Sequence, residues 1–452
     1  MDLRLITTLL AGRHGIDQWQ VTELRSRRHE RYLTFLRPDY DREAASTCWQ
    51  VWLALPAADG RQGEASFTIT PAHGAVDLRR LLDRAQDSAA DAPAPAWRLP
   101  APGEPGVAQA WRGGVVACGV AGGAAAGAQM AVASDFLADQ QLTRDPGRAV
   151  SAACDGFAAA VAAAPWCRPS AFELFARIED RRLVNHRGLD LSERRTRCYA
   201  EFVLLHRPDG GEECEFYDRV EAQSLADLDL AGRVAAAAAC LRDGAAAGPP
   251  PTGRLPVVVA GDYLAGMLGW FAQHADAQLH ARGIAALALG KPALPGAGLH
   301  LASDATVASL AAYRFDEHGY AACRQELVED GLLTGLHGSG RWMQVLGRRP
   351  HGQLGTLVAP CGPKPLAALL PGSLEVVRFS EFHPRSDTGA FSGEIRFAWW
   401  HAPDGTRRAV RGGSVSGEVR EALTGAAFSA EAATVGGYRG PRAVRLSATV
   451  AA

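Results

Sequence analysis

Glu326-Leu327-Val328-Glu329-Asp330-Gly331-Leu332-Leu333-Thr334-Gly335 is the stretch that fixes the reading of this chain. Its Asp-Gly pair supplies the two positive φ angles of a two-residue hairpin turn, which glycine adopts without steric cost. Glu329 and Leu332 should therefore face each other across paired strands, and that pairing sets the register of everything around them. Downstream, residues 374 onward read as largely β, with turns at Pro403-Asp404-Gly405 and Gly412-Gly413. Upstream, residues 255–260 read as a buried strand. An amphipathic helix follows, with Asp262 as its N-cap and Leu264, Met267, Leu268, Phe271 and Ala275 at three- and four-residue steps. The C-terminal half is thus expected to be β-rich around one or two helices.

The Ala-, Gly- and Pro-rich residues 243–251 form the best boundary in the chain. Before it, residues 21–36, 47–55 and 65–70 carry aromatic and β-branched residues in strand-length runs. Residues 77–89 place Leu78, Leu81, Leu82 and Ala85 at helical spacing. Further strands are expected over 171–180, 197–207 and 215–220, with a tight turn at Asp209-Gly210-Gly211 and helices over 144–163 and 224–241. The fold class is α+β in two domains, an N-terminal α/β domain over residues 1–245 and a β-rich C-terminal domain over 252–452.

At 452 residues the chain is long enough for two or three domains, each burying a core. Its 47 basic and 49 acidic side chains leave a formal net charge of −2, against a protein that wraps nucleic acid or coats an acidic membrane. No run of apolar residues is long enough to span a bilayer, and Met1-Asp2-Leu3-Arg4 opens no signal-peptide core, so a cytoplasmic protein is expected. The nine cysteines form no C-x-x-C pair and read as reduced thiols. Residues 113–128 are nearly all Gly, Ala and Val but contain no phosphate-loop signature, and no G-x-S-x-G elbow is present. The run from Arg25 to Arg31, diluted by Glu30, reads as a solvated face rather than a nucleic-acid strip. Trp399-Trp400 reads as strand packing or interface.

Four segments, in order, resemble the TldD/PmbA (TldD/TldE) family of heterodimeric metalloproteases. Asn185-His186-Arg187-Gly188-Leu189, with Arg195-Thr196 after it, is similar to the family's N-S-x-G stretch. Pro256-Val257-Val258-Val259-Ala260 and the helix after it, ending at Ala281-Arg282-Gly283, form the second. Phe315-Asp316-Glu317-His318-Gly319, running into the Asp330-Gly331 hairpin, forms the third. The fourth is Thr388-Gly389-Ala390-Phe391-Ser392-Gly393 with Arg411-Gly412-Gly413-Ser414-Val415-Ser416-Gly417. The likeness runs from about residue 171 to the C-terminus, and it implies that residues 1–245 are the family's N-terminal and central regions.

The resemblance also implies where chemistry would lie. The family's catalytic subunit carries H-E-x-x-x-H on the helix after the P-V-V strand. There two histidines bind zinc and the glutamate activates the metal-bound water, with a C-terminal cysteine completing the site. The matching window here is Leu268-Gly269-Trp270-Phe271-Ala272-Gln273, with neither histidine nor glutamate. The chain therefore resembles the metal-free subunit, TldE (PmbA). His274 and His280, six residues apart, would sit about 240° apart around a regular helix and could not share one ion. They read as surface histidines, and Cys361 as an ordinary thiol.

No catalytic residue and no metal are expected in this chain. Zinc is expected in a TldD-like partner, with which the chain would form a heterodimer around a peptide substrate, without nucleic acid or membrane. Small or unfolded peptides would be processed, in maturation of ribosomally made modified peptides among other roles. Trp270, Phe271, Asp330, Gly331, Phe391 and Ser392 are the cleft or interface candidates. Two other readings stand beside this one. A stand-alone enzyme would use His274, His280 or Cys361 as an unconventional metal site, and stoichiometric zinc in the purified chain would favour it. A peptide-binding scaffold would serve a separate modifying enzyme, and an adjacent reading frame with intact H-E-x-x-x-H would count against it.

Overall fold

The computed structural model describes residues 2–57, 59–109, 137–294, 296 and 298–452. The Gly- and Ala-rich stretch over 113–128 lies outside the described residues.

Seven strands build one antiparallel sheet before the boundary. Their spatial order is Pro93–Ala94, Gln62–Ile69, Arg37–Pro56, Gln18–Thr34, Arg168–Asn185, Asp190–His206 and Cys214–Ala222. Inward side chains alternate along these strands, as Thr196, Cys198, Ala200, Phe202 and Leu204 do along one of them, while Leu191 and Glu193 are buried on its opposite face. The helices Leu3–Ala11 and Ala75–Asp91 cover one end, packing Ile6, Leu10, Leu78 and Leu82 on Val21, Val51 and Leu53. The helices Pro146–Ala162 and Leu230–Gly244 cover the other, where Phe157 stacks on Phe172 at a centroid distance of 4.0 Å. Each half of the sheet thus has its own apolar cluster.

The strands are longer than sequence patterning predicts. Residues 168–170, 181–185 and 190–196 extend the predicted runs, and their solvent faces carry charges rather than β-branched residues. Those charges pair across strands, as Arg182 does with Asp190 at 2.7 Å and Arg194 with Asp180 at 2.6 Å. Arg31 likewise pairs with Asp41 across strands and Arg25 meets Glu23 along its own strand, so the basic run is a solvated sheet face. The Leu3–Ala11 helix was not foreseen; Asp2 caps it by accepting the Leu5 N–H.

After the boundary come two more sheets. The six-stranded one runs Leu332–Leu333, Arg324–Glu329, Leu301–Asp304, Thr356–Val358, Tyr438–Pro441 and Ala432–Val435. The seven-stranded one joins Ser373–Phe379, Gly253–Ala260, Ala443–Ala451, Ser414–Glu418, Ala390–His401 and Arg407–Val410, with Ala427–Phe428 pairing on Ala443–Ala451. The Gly261–His274 helix packs in the core shared by both sheets. Leu264, Met267, Leu268 and Phe271 there meet Leu327, Val328, Leu374, Ile395 and Leu446 in one cluster. Trp399 packs edge-on against Phe397 under the Arg407 guanidinium, which is strand packing as expected.

Polar contacts stitch the two parts together. Asn185 accepts the N–H groups of Arg187 and Leu189 and donates to the Pro100 carbonyl at 2.8 Å, holding the turn in which Gly188 has φ 89°. Asp316, fully buried, accepts from the N–H groups of His318, Gly319 and Tyr320, each at 2.9 Å. Any side chain at Gly319 would strike Leu189, its Cβ lying 2.3 Å from Cδ2. Two of the four family-like segments therefore meet at this junction. Beside them, buried Glu193 pairs with Arg181 and Arg195 and accepts the Arg314 N–H.

Candidate functional site

The hairpin at Asp330-Gly331 is as read. Glu329 pairs with Leu332, and the turn residues have φ of 49° and 77°. Asp330 is exposed and meets His300 at 3.0 Å, whereas Gly331 is buried. Its carbonyl accepts the N–H groups of Ala293 and Leu294, and its own N–H donates to Leu299. The neighbouring Leu332–Leu333 strand is bridged to Pro292, so this side of the sheet is covered by residues 290–294 and Leu299.

The window Leu268–Gln273 lies on the last turns of the Gly261–His274 helix. Leu268, Trp270, Phe271 and Ala272 are buried, Gly269 is half-buried and Gln273 is exposed. The Trp270 ring stands edge-on to Phe271 at 5.2 Å and to His274 at 4.7 Å. Its other neighbour is the turn that opens the fourth family-like segment. Gly389 there has φ 72°, and a Cβ on it would lie 3.2 Å from the Trp270 ring and 2.9 Å from Glu418 Oε1. Only glycine lets that turn close on the indole. Phe391 is buried in the same core, and Ser392 is exposed on the alternate face of its strand.

The helix departs from expectation at both ends. Ala260 rather than Asp262 is its N-cap, and Asp262 sits in the first turn, where a carboxylate meets the positive end of the helix dipole. It stops at His274, and Asp276 caps a second short helix, Ala277–Ala281, so His274 and His280 do not share one regular helix. Nor is His274 a surface residue, being only 2% exposed. Its Nε2 donates to the Ser386 carbonyl at 2.8 Å and its Nδ1 accepts the Ala286 N–H at 3.0 Å. Burial holds it below the usual histidine range against the pull of the Ser386 carbonyl, with His280 adding to the lowering. The ring is therefore neutral, and both of its nitrogens are occupied.

His280 in turn donates from Nε2 to the His274 carbonyl, and buried His337 donates from Nε2 to the Ala272 carbonyl. These histidines tie backbone segments together around the end of the helix. Cys361 is exposed. Among the described residues no group of three or more His, Cys, Asp or Glu side chains is placed to hold a metal. The donor set around the window does not fit a zinc ion, because the imidazole nearest to it has no lone pair to give.

At the other end of the helix, a cleft of about 640 Å³ opens between the Cys214–Ala222 strand and the Ala432–Val435 strand. Asp262, His383, Arg219, Thr434 and Arg439 line it. Sequence reading passed over the last four. The Gly436-Gly437 pair between Val435 and Tyr438 was the available signal, since it writes a second tight hairpin.

Residues 252–452 match the family described as the PmbA/TldA metallopeptidase C-terminal domain. That C-terminal part of the chain carries the family's domain. The chain's whole length also carries a known fold. It is similar to TldE from Thermococcus kodakarensis, at 16% identity and a TM-score of 0.77, over 99% of this chain and 100% of that one. A putative modulator of a DNA gyrase from Thermotoga maritima matches at 14% identity and 0.78, over all of both chains. One from Bacteroides thetaiotaomicron matches at 17% and 0.76, over 99% of this chain and 98% of that one. No curated protein sequence is significantly similar. Among the described residues no helix is long and apolar enough to cross a membrane.

Proposed function

We propose that the chain is the non-catalytic, TldE/PmbA-like subunit of a heterodimeric TldD/TldE-type zinc metallopeptidase that processes small or unfolded peptides. The observation that carries this reading is the packing at Trp270. The helix face that would present metal ligands in a catalytic subunit instead presents an indole, closed over by Gly389 and flanked by Phe271 and a neutral, doubly bonded His274. A water-activating centre needs a general base and open coordination positions, and this packing leaves room for neither. The TldD-like partner supplies the zinc and the base, and this chain supplies part of the enclosure around the peptide. Maturation of ribosomally made modified peptides is the proposed setting.

Assembly tests the partnership directly. Co-expressed with a TldD-like chain bearing intact H-E-x-x-x-H, this chain should elute with it as one complex on size exclusion. Independent elution of the two at micromolar concentration would refute the heterodimer, since a stable interface of the usual size survives that dilution.

A further inference from the structure

The Gly261–His274 helix ends against residues 284–289, a largely exposed segment between two glycines in the left-handed region, Gly283 at φ 67° and Gly290 at φ 74°. Before it the chain is tied to the short helix, where Gly283 donates to the His280 carbonyl and Ile284 to that of Leu279. After it the chain is tied to the hairpin, where Gly290 donates to the Leu333 carbonyl and Leu333 to that of Lys291. Between those ends, Leu287 is buried in the C-terminal core while Ile284 stands 62% exposed. Midway, the Ala286 N–H donates to His274 Nδ1 at 3.0 Å. The segment is thus fastened at its middle by one apolar side chain and one hydrogen bond to an imidazole, with a glycine at either end to turn on.

That acceptor exists only in the neutral ring. The His274 Nε2–H is committed to the Ser386 carbonyl, so a titrating proton must go to Nδ1. There it would face the Ala286 N–H, donor against donor, inside the core. Among the described residues no carboxylate pairs with His274, and the charge that acts on it, that of His280, opposes protonation. Arg385 and Asp387, beside Ser386, are exposed and pair with each other at 2.9 Å, and His383 on the same loop is exposed. Asp276 caps the Ala277–Ala281 helix, and Glu418, near Trp270, caps the Val419–Leu423 helix. Of the flanking cations, Arg282 lies over the Trp342 ring and Lys291 is exposed beyond Gly290.

We propose that residues 284–289 form a strap released by acid, with His274 Nδ1 as its latch and Gly283 and Gly290 as its pivots. Protonation of Nδ1 breaks the Ala286 bond, and the strap swings out with Leu287 so that the imidazolium meets water. Release uncovers the His274 ring and the helix end beside Trp270, which stands edge-on to it. The device belongs to this chain's own fold and does not depend on the subunit reading. A histidine freed into water titrates near about 6.5, and the latched ring is held below that. Opening therefore gains at most about tenfold per pH unit below that value, or up to about thirtyfold by about pH 5.

Hydrogen–deuterium exchange of the full chain, followed by mass spectrometry and corrected for intrinsic rates, tests this at about pH 7.5 and about pH 5. Protection over residues 284–289 should fall severalfold on acidification, up to about thirtyfold, while the buried Leu301–Asp304 strand keeps its own. His274→Gln offers the same donor and acceptor without a titratable ring, so its strap should stay protected at both pH values. Ala286→Pro removes the latch N–H and leaves the ring in place, so its strap should exchange faster already at about pH 7.5. Equal protection of the native strap at both pH values would overturn the proposal. So would an acid response that survives His274→Gln, or one abolished by His280→Gln, which would assign the titration to the neighbour. Should His274→Gln fail to fold, Ala286→Pro decides, because unchanged protection at about pH 7.5 would show that the bond is no latch.

Discussion

Replacing Trp270 by alanine probes the packing on which the functional reading depends. The ring is 4% exposed and held edge-on by Phe271 and His274, with Gly389 closed against it, so its removal leaves a cavity that rigid neighbours cannot fill. Large-to-small changes of this kind cost about 3–5 kcal/mol, the loss combining transfer free energy with the void. No hydrogen bond is forfeited, because the indole N–H is buried without a partner among the described residues. That orphaned donor separates two variants. Trp270→Phe keeps most of the contact surface and removes the unpaired group, whose burial costs about 1–3 kcal/mol, so it should fall within about 1.5 kcal/mol of the native chain. Urea titration followed by circular dichroism measures both, with the slope checked for constancy. A loss below about 1 kcal/mol for Trp270→Ala at unchanged slope would refute the packing and imply that the ring faces substrate or partner.

Gly331→Val should cost about 1–3 kcal/mol, since a β-branched side chain is forced to φ 77° in a turn whose backbone also holds Ala293, Leu294 and Leu299; an unchanged urea midpoint would contradict the turn. A pH series carries a further prediction. His274, His337 and His351 are each held below the usual histidine range, burial being the largest cause for all three. A base with a depressed folded pKa leaves the unfolded chain binding more protons. Stability should therefore be full above the unfolded value near 6.5 and fall as pH drops from there toward the folded values. Asp316, raised by burial, works in the opposite sense and only above its unfolded value of 3.8. A midpoint that stays flat or rises between about pH 7 and about pH 5 would contradict the neutral, buried histidines.

Local chemistry made much of this legible in the sequence. The Asp330-Gly331 turn, the strand before the Gly261–His274 helix and the glycine turns of the C-terminal sheets each have a steric cause that acts on neighbouring residues alone. The strand extensions over 181–185 and 190–196 were missed because alternating Arg, Asp and Glu resemble loop composition until a partner strand supplies the opposite charges. His274 was misplaced for a similar reason. Its burial depends on Ser386 and Ala286, both distant in the chain, and its geometry on a helix break that Asp276 stabilises. The missing H-E-x-x-x-H could be read directly, but what replaces it could not, since Gly389 meets Trp270 only through the folded sheet. The free edge at Ala432–Val435 is a property of sheet order, which no local pattern encodes.

The central claim, that this chain shapes a site whose metal and base lie in another subunit, is tested most directly by peptide hydrolysis with and without that subunit. The purified chain, supplied with zinc, should leave an unfolded peptide intact, and adding a TldD-like chain with H-E-x-x-x-H should produce cleavage that a chelator abolishes. Chelator-sensitive cleavage by this chain alone would contradict the account.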